Sequence, residues 1–461
     1  MPVSPPVLRG KRVCVVGLAR SGVAAAKLCA RAGAEVTVTD ARGADALGPA
    51  LAALDGVPVR RALGGHGEAF LDRQDLLVVS PGVPLGILPL ADARAKGVPI
   101  WGEVELAYRF LHGTPVVAIT GTNGKSTTTA LTGALLAADR PTFTGGNLGT
   151  PLTEHVLSGK GADVVVAELS SFQLEGIDQF RANAAAFLNL TPDHLDRYAS
   201  VDAYALAKGR LFARQQPGDV AVANARDPLA LGLAAASRGR LLTFGFGPPA
   251  PDAARDAAPD AAEGTLVVSL GGAGERYRLA NRALRGRHNR ENAMAAILLA
   301  RAAGAPPAAV QAGLDAFPGL PHRLELVSER GGVEWVNDSK ATNVDSTSVA
   351  LAAFAPGAPR LVILMGGRGK GAPYAPLREL FPGRVKALLT LGEDAPAVER
   401  ELGDLAPTHA CGTLAAAVKA AARLVAPGDV VLLSPACASY DQFDNYEQRG
   451  AAFRALVEGL K

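Results

Sequence analysis

Val116-Val117-Ala118-Ile119-Thr120-Gly121-Thr122-Asn123-Gly124-Lys125-Ser126-Thr127 is the stretch that decides the fold. Val116 to Ile119 read as a buried strand, the two glycines force a turn, and a helix is predicted to begin near Ser126. A turn of this kind is suited to phosphate. The glycines let the backbone wrap an anion, the helix N-terminus offers unpaired N–H groups and the positive end of its dipole, Lys125 adds a point charge, and the Ser126 hydroxyl can ligate Mg²⁺. Gly121, Thr122, Asn123, Gly124, Lys125, Ser126 and Thr127 are therefore read as an ATP or GTP loop. A strict P-loop has a glycine five residues before Gly124; Ile119 stands there, so this is a variant whose first glycine is Gly121.

Working outward toward the N-terminus, Arg12 to Val16 reads as a strand, Gly17-Leu18-Ala19-Arg20-Ser21-Gly22 as a turn, Val23 to Ala32 as a helix, and Glu35 to Thr39 as a second strand ending at Asp40. Such a βαβ unit places a carboxylate on a ribose at about this spacing. The middle glycine of GxGxxG is Ala19 here, so both a nucleotide turn and a plain packing turn fit the string. Leu76 to Val79 is a further strand, ending in Ser80-Pro81-Gly82 at the carboxyl edge where open α/β sheets bind ligands.

Toward the C-terminus, strands are expected at Val164 to Ala167, Ala185 to Leu190 and Val220 to Ala223, with polar residues at their ends. A doubly wound sheet opens these ends on the edge that holds the phosphate loop, so Glu168, His194 and Lys125 are expected to converge. Pro248 to Glu263, rich in Pro, Ala and Asp, reads as a surface loop. After Phe317-Pro-Gly-Leu-Pro-His322-Arg323 a third α/β block is predicted, with strands near Val333 to Val336, Leu361 to Met365, Ala387 to Leu391 and Val430 to Leu433.

A chain of 461 residues is long enough for about three domains. Lys plus Arg number 47 against 44 acidic residues, a net charge of +3 with the basic residues scattered, so nucleic acid is not an expected partner. The four cysteines show no CxxC spacing and suit a reducing compartment; Cys14 and Cys29 read as small core residues. Val13 to Ala19 is interrupted by Arg20 and is better explained by the Gly turn than by a signal peptide. No apolar run reaches the length of a membrane-spanning helix, and a soluble cytoplasmic protein is expected.

Taken together, Gly17 to Gly22, Ser80-Pro81-Gly82, Thr120 to Ser126, Gly146-Asn147-Leu148-Gly149, Glu168 to Leu174, Asp193-His194-Leu195-Asp196-Arg197, His288-Asn289 with Asn292, Asn337 to Asn343, Ser434 to Ser439, Asp441-Gln442-Phe443 and Gln448-Arg449-Gly450 resemble the Mur ligases. These are ATP-dependent amide-forming enzymes of peptidoglycan precursor synthesis, and the strings span nearly the whole chain in family order. The likeness is to the branch that adds D-glutamate to UDP-N-acetylmuramoyl-L-alanine. It implies a three-domain α/β protein: a Rossmann-like UDP-substrate domain over residues 1–112, a central ATPase domain over 113–318, and a dinucleotide-fold-like C-terminal domain that binds the amino acid over 319–461. It also implies a monomer.

The resemblance further implies roles for single residues. Lys125 would hold the β- and γ-phosphates; Ser126, Glu168, His194 and Lys208 would serve two Mg²⁺ sites, with Lys208, in a helix expected over Asp202 to Arg214, the lysine carbamylated by CO₂. Asn292, Arg323 and Asp338 would complete the ATP site. Leu18, Ala19, Asp40, Arg42, Ser80, Pro81, Gly82, Asn147, Gln173 and His194 would meet the UDP substrate. Lys340, Thr342, Lys370, Ser439, Tyr440 and Tyr446 would form the amino-acid pocket, with Arg368 competing for the role of Lys370. The two tyrosines stand where the family has an aliphatic residue and Phe.

Other readings are another amide ligase of the superfamily, such as a folylpolyglutamate synthase, a NAD-linked oxidoreductase using the first block, and a non-catalytic nucleotide switch. The Gly turn with Asp40 argues against the first, and the second leaves the phosphate loop unexplained.

Overall fold

A computed structural model describes residues 6–67, 73–194, 196–247, 256–259, 264–270 and 274–460. The chain divides into two compact units, one of Met1–Arg278 with Asn292–Leu314 and one of Leu279–Glu291 with Asp315–Lys461.

The first unit carries two sheets among the described residues. One contains β1 (Arg12–Val16), β2 (Glu35–Asp40), β3 (Val59–Leu63), β4 (Leu76–Val79) and β5 (Ile100–Gly102) in the order 3-2-1-4-5, all parallel. Strand order reverses between β1 and β4, so the turn after Val16 and the Ser80-Pro81-Gly82 loop border the crevice where such sheets hold ligands. Near-continuous apolar runs mark strands covered on both faces: Val13 to Val16 are all buried, and Cys14 and Cys29 lie fully inside, where burial pushes both thiols up to about 12.

The second sheet contains β6 (Val116–Thr120), β7 (Thr142–Gly146), β8 (Val164–Glu168), β9 (Ala184–Phe187), β10 (Val220–Asn224), β11 (Arg240–Phe244), β12 (Ala257–Pro259), β13 (Thr265–Val268) and β14 (Glu275–Arg278). Their order is 14-13-12-11-10-9-6-8-7. β6 lies between β8 and β9, both parallel to it, so the loops leaving these three strands share one edge. The loop expected over 248–263 is interrupted by Ala257–Pro259, which pairs with Phe244 of β11 and with β13; residues 248–255 and 260–263 lie outside the described residues. The strand expected to reach Leu190 stops at Phe187, because Leu190 N–H turns to donate to Asp227 Oδ2 at 2.6 Å.

Between the two sheets runs the helix Glu103–Arg109, whose two buried glutamates serve different ends. Glu105 takes the N–H groups of Asp178, Gln179 and Phe180 at 2.8 to 3.0 Å and pairs with Arg109 at 2.7 Å. Glu103 Oε1 accepts from the N–H and hydroxyl of Thr153, and burial raises the pKa of this carboxyl. Arg20, the first residue of the helix after β1, pairs with Glu154 at 2.8 Å.

In the second unit, β15 (Glu325–Arg330), β16 (Val333–Asn337), β17 (Leu361–Gly366), β18 (Val385–Leu391), β19 (Thr408–Gly412) and β20 (Val430–Leu433) are ordered 15-16-20-17-18-19, parallel except for the edge strand β15. The adjacent strands β16, β20 and β17 release the loops that carry Asp338 to Thr342, Ser434 to Tyr440 and Gly366 to Lys370.

Candidate active site

The turn after β6 has the geometry of an anion cradle. Gly121 and Gly124 lie at φ +152° and +82°, which a side chain tolerates poorly, and Gly124 opens the helix Lys125–Ala137. A Cβ on Gly124 would come 2.3 Å from Asn292 Oδ1, so Asn292 packs directly on the loop; Thr128 Oγ1 lies 3.3 Å from the same oxygen. The segment after β9 holds the loop from the other side. Thr122 N–H donates to Asn189 O at 2.9 Å, Asn123 N–H to Asn189 Oδ1 at 2.9 Å, and Asn189 Nδ2 to Asn123 O at 3.1 Å. Lys125 Nζ folds back onto Gly121 O and Thr122 O at 2.9 and 2.8 Å, and Ser126 and Thr127 follow in the first helical turn.

A second lysine reaches the same carbonyl. Lys208, on the helix Val201–Gly209, is 1 % exposed and donates to Gly121 O at 2.8 Å, with its Nζ 4.6 Å from the centre of the Tyr204 ring. Burial, with Lys125 adding a like charge, pushes its pKa down to about 7, against the weaker pull of Asp193 and Glu168. The expected helix ends at Gly209 and continues as a 3-10 turn over Arg210–Phe212.

Glu168 closes β8 and is 2 % exposed. Its Oε1 accepts from Asn147 Nδ2 at 2.7 Å and its backbone oxygen from Asn147 N–H at 2.8 Å, while Oε2 is buried with no hydrogen-bond partner. The Gly146-Asn147 turn thus orients this carboxylate; a Cβ on Gly146 would meet Glu168 O at 2.5 Å. His194 has φ +53° and is about half exposed, with its ring centre 4.9 Å from that of Phe172 and 6.1 Å from that of Tyr204. Leu195 of the same string lies outside the described residues. Gln173 closes a capping box with Ser170 on the short helix Ser171–Glu175.

At the first sheet, Asp40 accepts from Leu18 N–H at 2.8 Å and from the Arg42 backbone N–H and guanidinium at 2.9 Å. Arg42 holds this carboxyl far below the usual carboxylate range. Within the chain, therefore, Asp40 fixes the turn and aims the half-exposed Arg42. Ser80 Oγ donates to Gly17 O at 2.7 Å, and Pro81 O accepts from Arg197 Nη1 at 3.2 Å. Ala19 is the extended residue before the helix Arg20–Arg31, with no side-chain cap over its first N–H groups. Gly82 has open space where a Cβ would stand.

In the second unit, Asp338 is buried and accepts from Ser434 Oγ at 2.8 Å and Leu324 N–H at 3.2 Å; burial raises its pKa to about 7. The pKa of His288, partly buried, is lowered to about 4 by desolvation and then by the nearby Arg323. Lys340 Nζ lies 5.3 Å from the centre of the Tyr446 ring, and Ser439 is buried. Thr342 follows in the same turn as Lys340, to whose carbonyl it donates at 2.9 Å. Arg368 is held by Glu393 at 2.9 and 3.0 Å, whereas Lys370 is exposed. Tyr440 is 63 % exposed.

Three family models match in succession: the Mur ligase MurD-like N-terminal domain at residues 11–102, the Mur ligase middle domain at 119–300, and the Mur ligase glutamate ligase domain at 322–437. The UDP-N-acetylmuramoylalanine–D-glutamate ligase of Anaeromyxobacter dehalogenans is 70% identical over 458 residues, covering 99% of both chains, and that of Myxococcus xanthus 55% identical over 460, covering 98% of this chain and 99% of the other. The chain belongs to the Mur ligase family. Among solved structures, this Mur ligase resembles a pseudomurein peptide ligase type C from Methanothermus fervidus (TM-score 0.58, 18% identity, 98% of this chain and 100% of that one). It resembles the UDP-N-acetylmuramate-alanine ligase of Thermotoga maritima to a similar degree (0.57, 20%, 98% and 100%). At these identities the likeness is one of fold.

Sequence reasoning passed over several residues that shape the site of this Mur ligase. Asn189 pins the phosphate loop and Tyr204 lies beneath Lys208. Asn147, read as a substrate contact, also donates to Glu168. The signal for Asn189 was its place at a strand's carboxyl end; nothing local marked Tyr204.

Proposed function

We propose that this Mur ligase joins D-glutamate to UDP-N-acetylmuramoyl-L-alanine with cleavage of ATP to ADP and phosphate, a step of peptidoglycan precursor synthesis. Its full-length identity to ligases named for that reaction supports the reading. The observation that carries the chemistry is the meeting of Lys125, Lys208 and the unpaired oxygen of Glu168 around the phosphate loop.

A carboxylate does not acylate an amine in neutral water because its leaving group is poor. The terminal carboxylate of the alanyl group takes the γ-phosphoryl of ATP, breaking the bond to ADP. The amine of D-glutamate then attacks the acyl carbon, the C–O bond to phosphate breaks, and one proton is released. Two anions must first approach, so Lys125 and the loop N–H groups hold the triphosphate where its charge is spread. Asn292 packs on Gly124 and keeps the loop in register.

The residues fit Mg²⁺. A buried carboxylate oxygen without a donor, as on Glu168, is a poor arrangement unless a cation faces it. Among the described residues no group of three or more His, Cys, Asp or Glu side chains gathers as a metal site; Mg²⁺ instead takes one or two carboxylates and completes its shell with phosphate oxygens and water. When bound, Mg²⁺ would neutralise the approaching anions. Ser126 and Glu168 would serve one ion, and His194 and Lys208 a second.

Lys208 fits the carbamate. Two ammonium groups sharing one carbonyl repel, and a pKa near 7 leaves about half of Lys208 as the free amine that CO₂ requires. The product anion would attract Lys125 and supply oxygen ligands.

The UDP moiety would lie against Leu18, Ala19, Arg42 and the Ser80 to Gly82 loop, with Gln173 and Asn147 bordering it. Arg323 and Asp338 would serve ATP, and Lys340, Thr342, Lys370, Ser439, Tyr440 and Tyr446 the amino acid. Domains at 1–112, 113–318 and 319–461, a monomeric state and a cytoplasmic location belong to the same reading; no helix among the described residues is long and apolar enough to cross a membrane.

Two measurements test it. Phosphate release with ATP and the alanyl acceptor is expected with D-glutamate and not with L-glutamate, L-lysine or diaminopimelate; a cationic side chain beside Lys370 meets an unpaired like charge, and inversion of the α-carbon takes the amine off line. Equal release with L-lysine would remove the substrate assignment. For the UDP end, Gly22→Ala puts a Cβ 1.9 Å from Gly17 O and 2.6 Å from Ser80 Oγ. Overpacking a tight turn costs about 1–3 kcal/mol, so the KM for the UDP substrate is expected to rise about tenfold while the KM for ATP holds. An unchanged UDP-substrate KM would place that substrate elsewhere.

A further inference from the structure

Arg449 is among the largest fully buried side chains of the chain, 1 % exposed, and among the described residues it has no carboxylate within ion-pair distance. Burial lowers its pKa to about 10. Its donors go instead to two loops. Nε reaches Ser339 Oγ at 3.0 Å and Nη2 reaches Ser339 O at 2.9 Å. Nη2 also reaches Cys437 O at 3.1 Å, and Nη1 reaches Ala438 O at 3.3 Å. A buried guanidinium satisfied by carbonyls and a hydroxyl is an expensive way to fill space, since apolar side chains of like volume often serve as well.

The partners explain its use. Ser339 sits between Asp338 and Lys340, and its hydroxyl donates on to Tyr446 O at 2.8 Å. Ala438 precedes Ser439 and exchanges backbone hydrogen bonds with Arg368 at 2.9 and 3.0 Å, fixing the loop that bears Lys370. A Cβ on Gly367 would lie 3.2 Å from Arg449 Nη1. Gly450 must be small as well, because a Cβ there would come 2.1 Å from His322 Nδ1. One planar fork thereby spans the ends of β16 and β20 and, through Ala438, braces the loop after β17.

We propose that Arg449 is the positioning residue of the amino-acid pocket, setting Lys340, Ser439 and the Lys370 loop in one geometry. The proposal rests on the reading that these loops receive the amino acid. Its cation, which has no carboxylate within ion-pair distance among the described residues and feels Asp441 only through its field, also favours a dianionic amino acid over a neutral one.

Arg449→Lys keeps the charge but cannot bridge both loops. The KM for D-glutamate is expected to rise about 10- to 100-fold, as for a misplacement of about 1 Å, while the KM values for ATP and the UDP substrate stay at wild type. Ser339→Ala, which removes one acceptor and leaves the guanidinium buried, is expected to shift the same KM in the same direction by less. A merely structural role would lower the melting temperature and move all three KM values together or none. If Arg449→Lys does not fold, Ser339→Ala with a wild-type KM for D-glutamate overturns the proposal by itself. If the wild-type enzyme instead prefers a different amino acid, the substrate reading fails, and the same split measured on that amino acid still decides the role of Arg449.

Discussion

Lys125→Ala is expected to lower turnover by about 100-fold or more, the cost of removing one charge aimed at a transition state, with the fold intact. The second half of that expectation comes from where the ammonium rests. It donates to the carbonyls of Gly121 and Thr122 in its own turn. The loop itself is held by Asn189, Thr191 and Asn292. Circular dichroism and melting temperature should therefore match wild type while phosphate release falls. Removing Lys125 also withdraws the like charge next to Lys208, so the pKa of Lys208 should rise. A folded Lys125→Ala enzyme with near-normal turnover would end the assignment of this loop to the reacting phosphates.

What the sequence allowed to be read follows burial. β1, β4, β6 and β17 were legible because each is an unbroken apolar run covered on both faces, and Gly17, Gly121 and Gly124 mark turns at their ends by left-handed φ values that only glycine enters readily. β3 (VRRAL) and β14 (ERYR) were passed over because they lie at sheet edges with charged residues to solvent. β7 (TFTGG) was passed over because two of its five residues are glycine, at least one of which is required by the close approach to Glu168. Here tertiary packing outweighs propensity.

The site was legible residue by residue but not in its couplings. Asp40 stood at the spacing of a ribose carboxylate; in three dimensions the described hydrogen bonds of its carboxylate go to Leu18 and Arg42. Lys208 and Arg449 were harder still. Both are polar side chains on helices, and nothing in ALAKG or EQRGA announces that the cation is 1 % exposed. Their burial is set by the loops that fold over them, residues far away in the chain.

The largest effect after Lys125 is expected at Lys208. Lys208→Ala should be nearly inactive and partly rescued by added acetate or formate. Two lysines donate to Gly121 O, and one of them is buried over an aromatic ring. A cation in that place is costly, which is why its pKa sits near 7 rather than at the usual lysine value. Reaction of the free amine with CO₂ forms a carbamate and releases one proton, replacing repulsion of Lys125 by attraction and giving oxygen where Glu168 already offers one unpaired oxygen. Below about 7 the amine is protonated and its free fraction falls about tenfold per unit, so recovery of activity at a fixed dissolved CO₂ concentration in CO₂-depleted enzyme should slow as pH drops and level off above 7. In Lys208→Ala the cavity left by the side chain admits a small carboxylate, which restores an oxygen ligand independently of CO₂, so rescue should be insensitive to bicarbonate. An ammonium at Lys208 in fully active, Mg²⁺-loaded enzyme, or activity indifferent to CO₂ across this pH range, would rule the carbamate out.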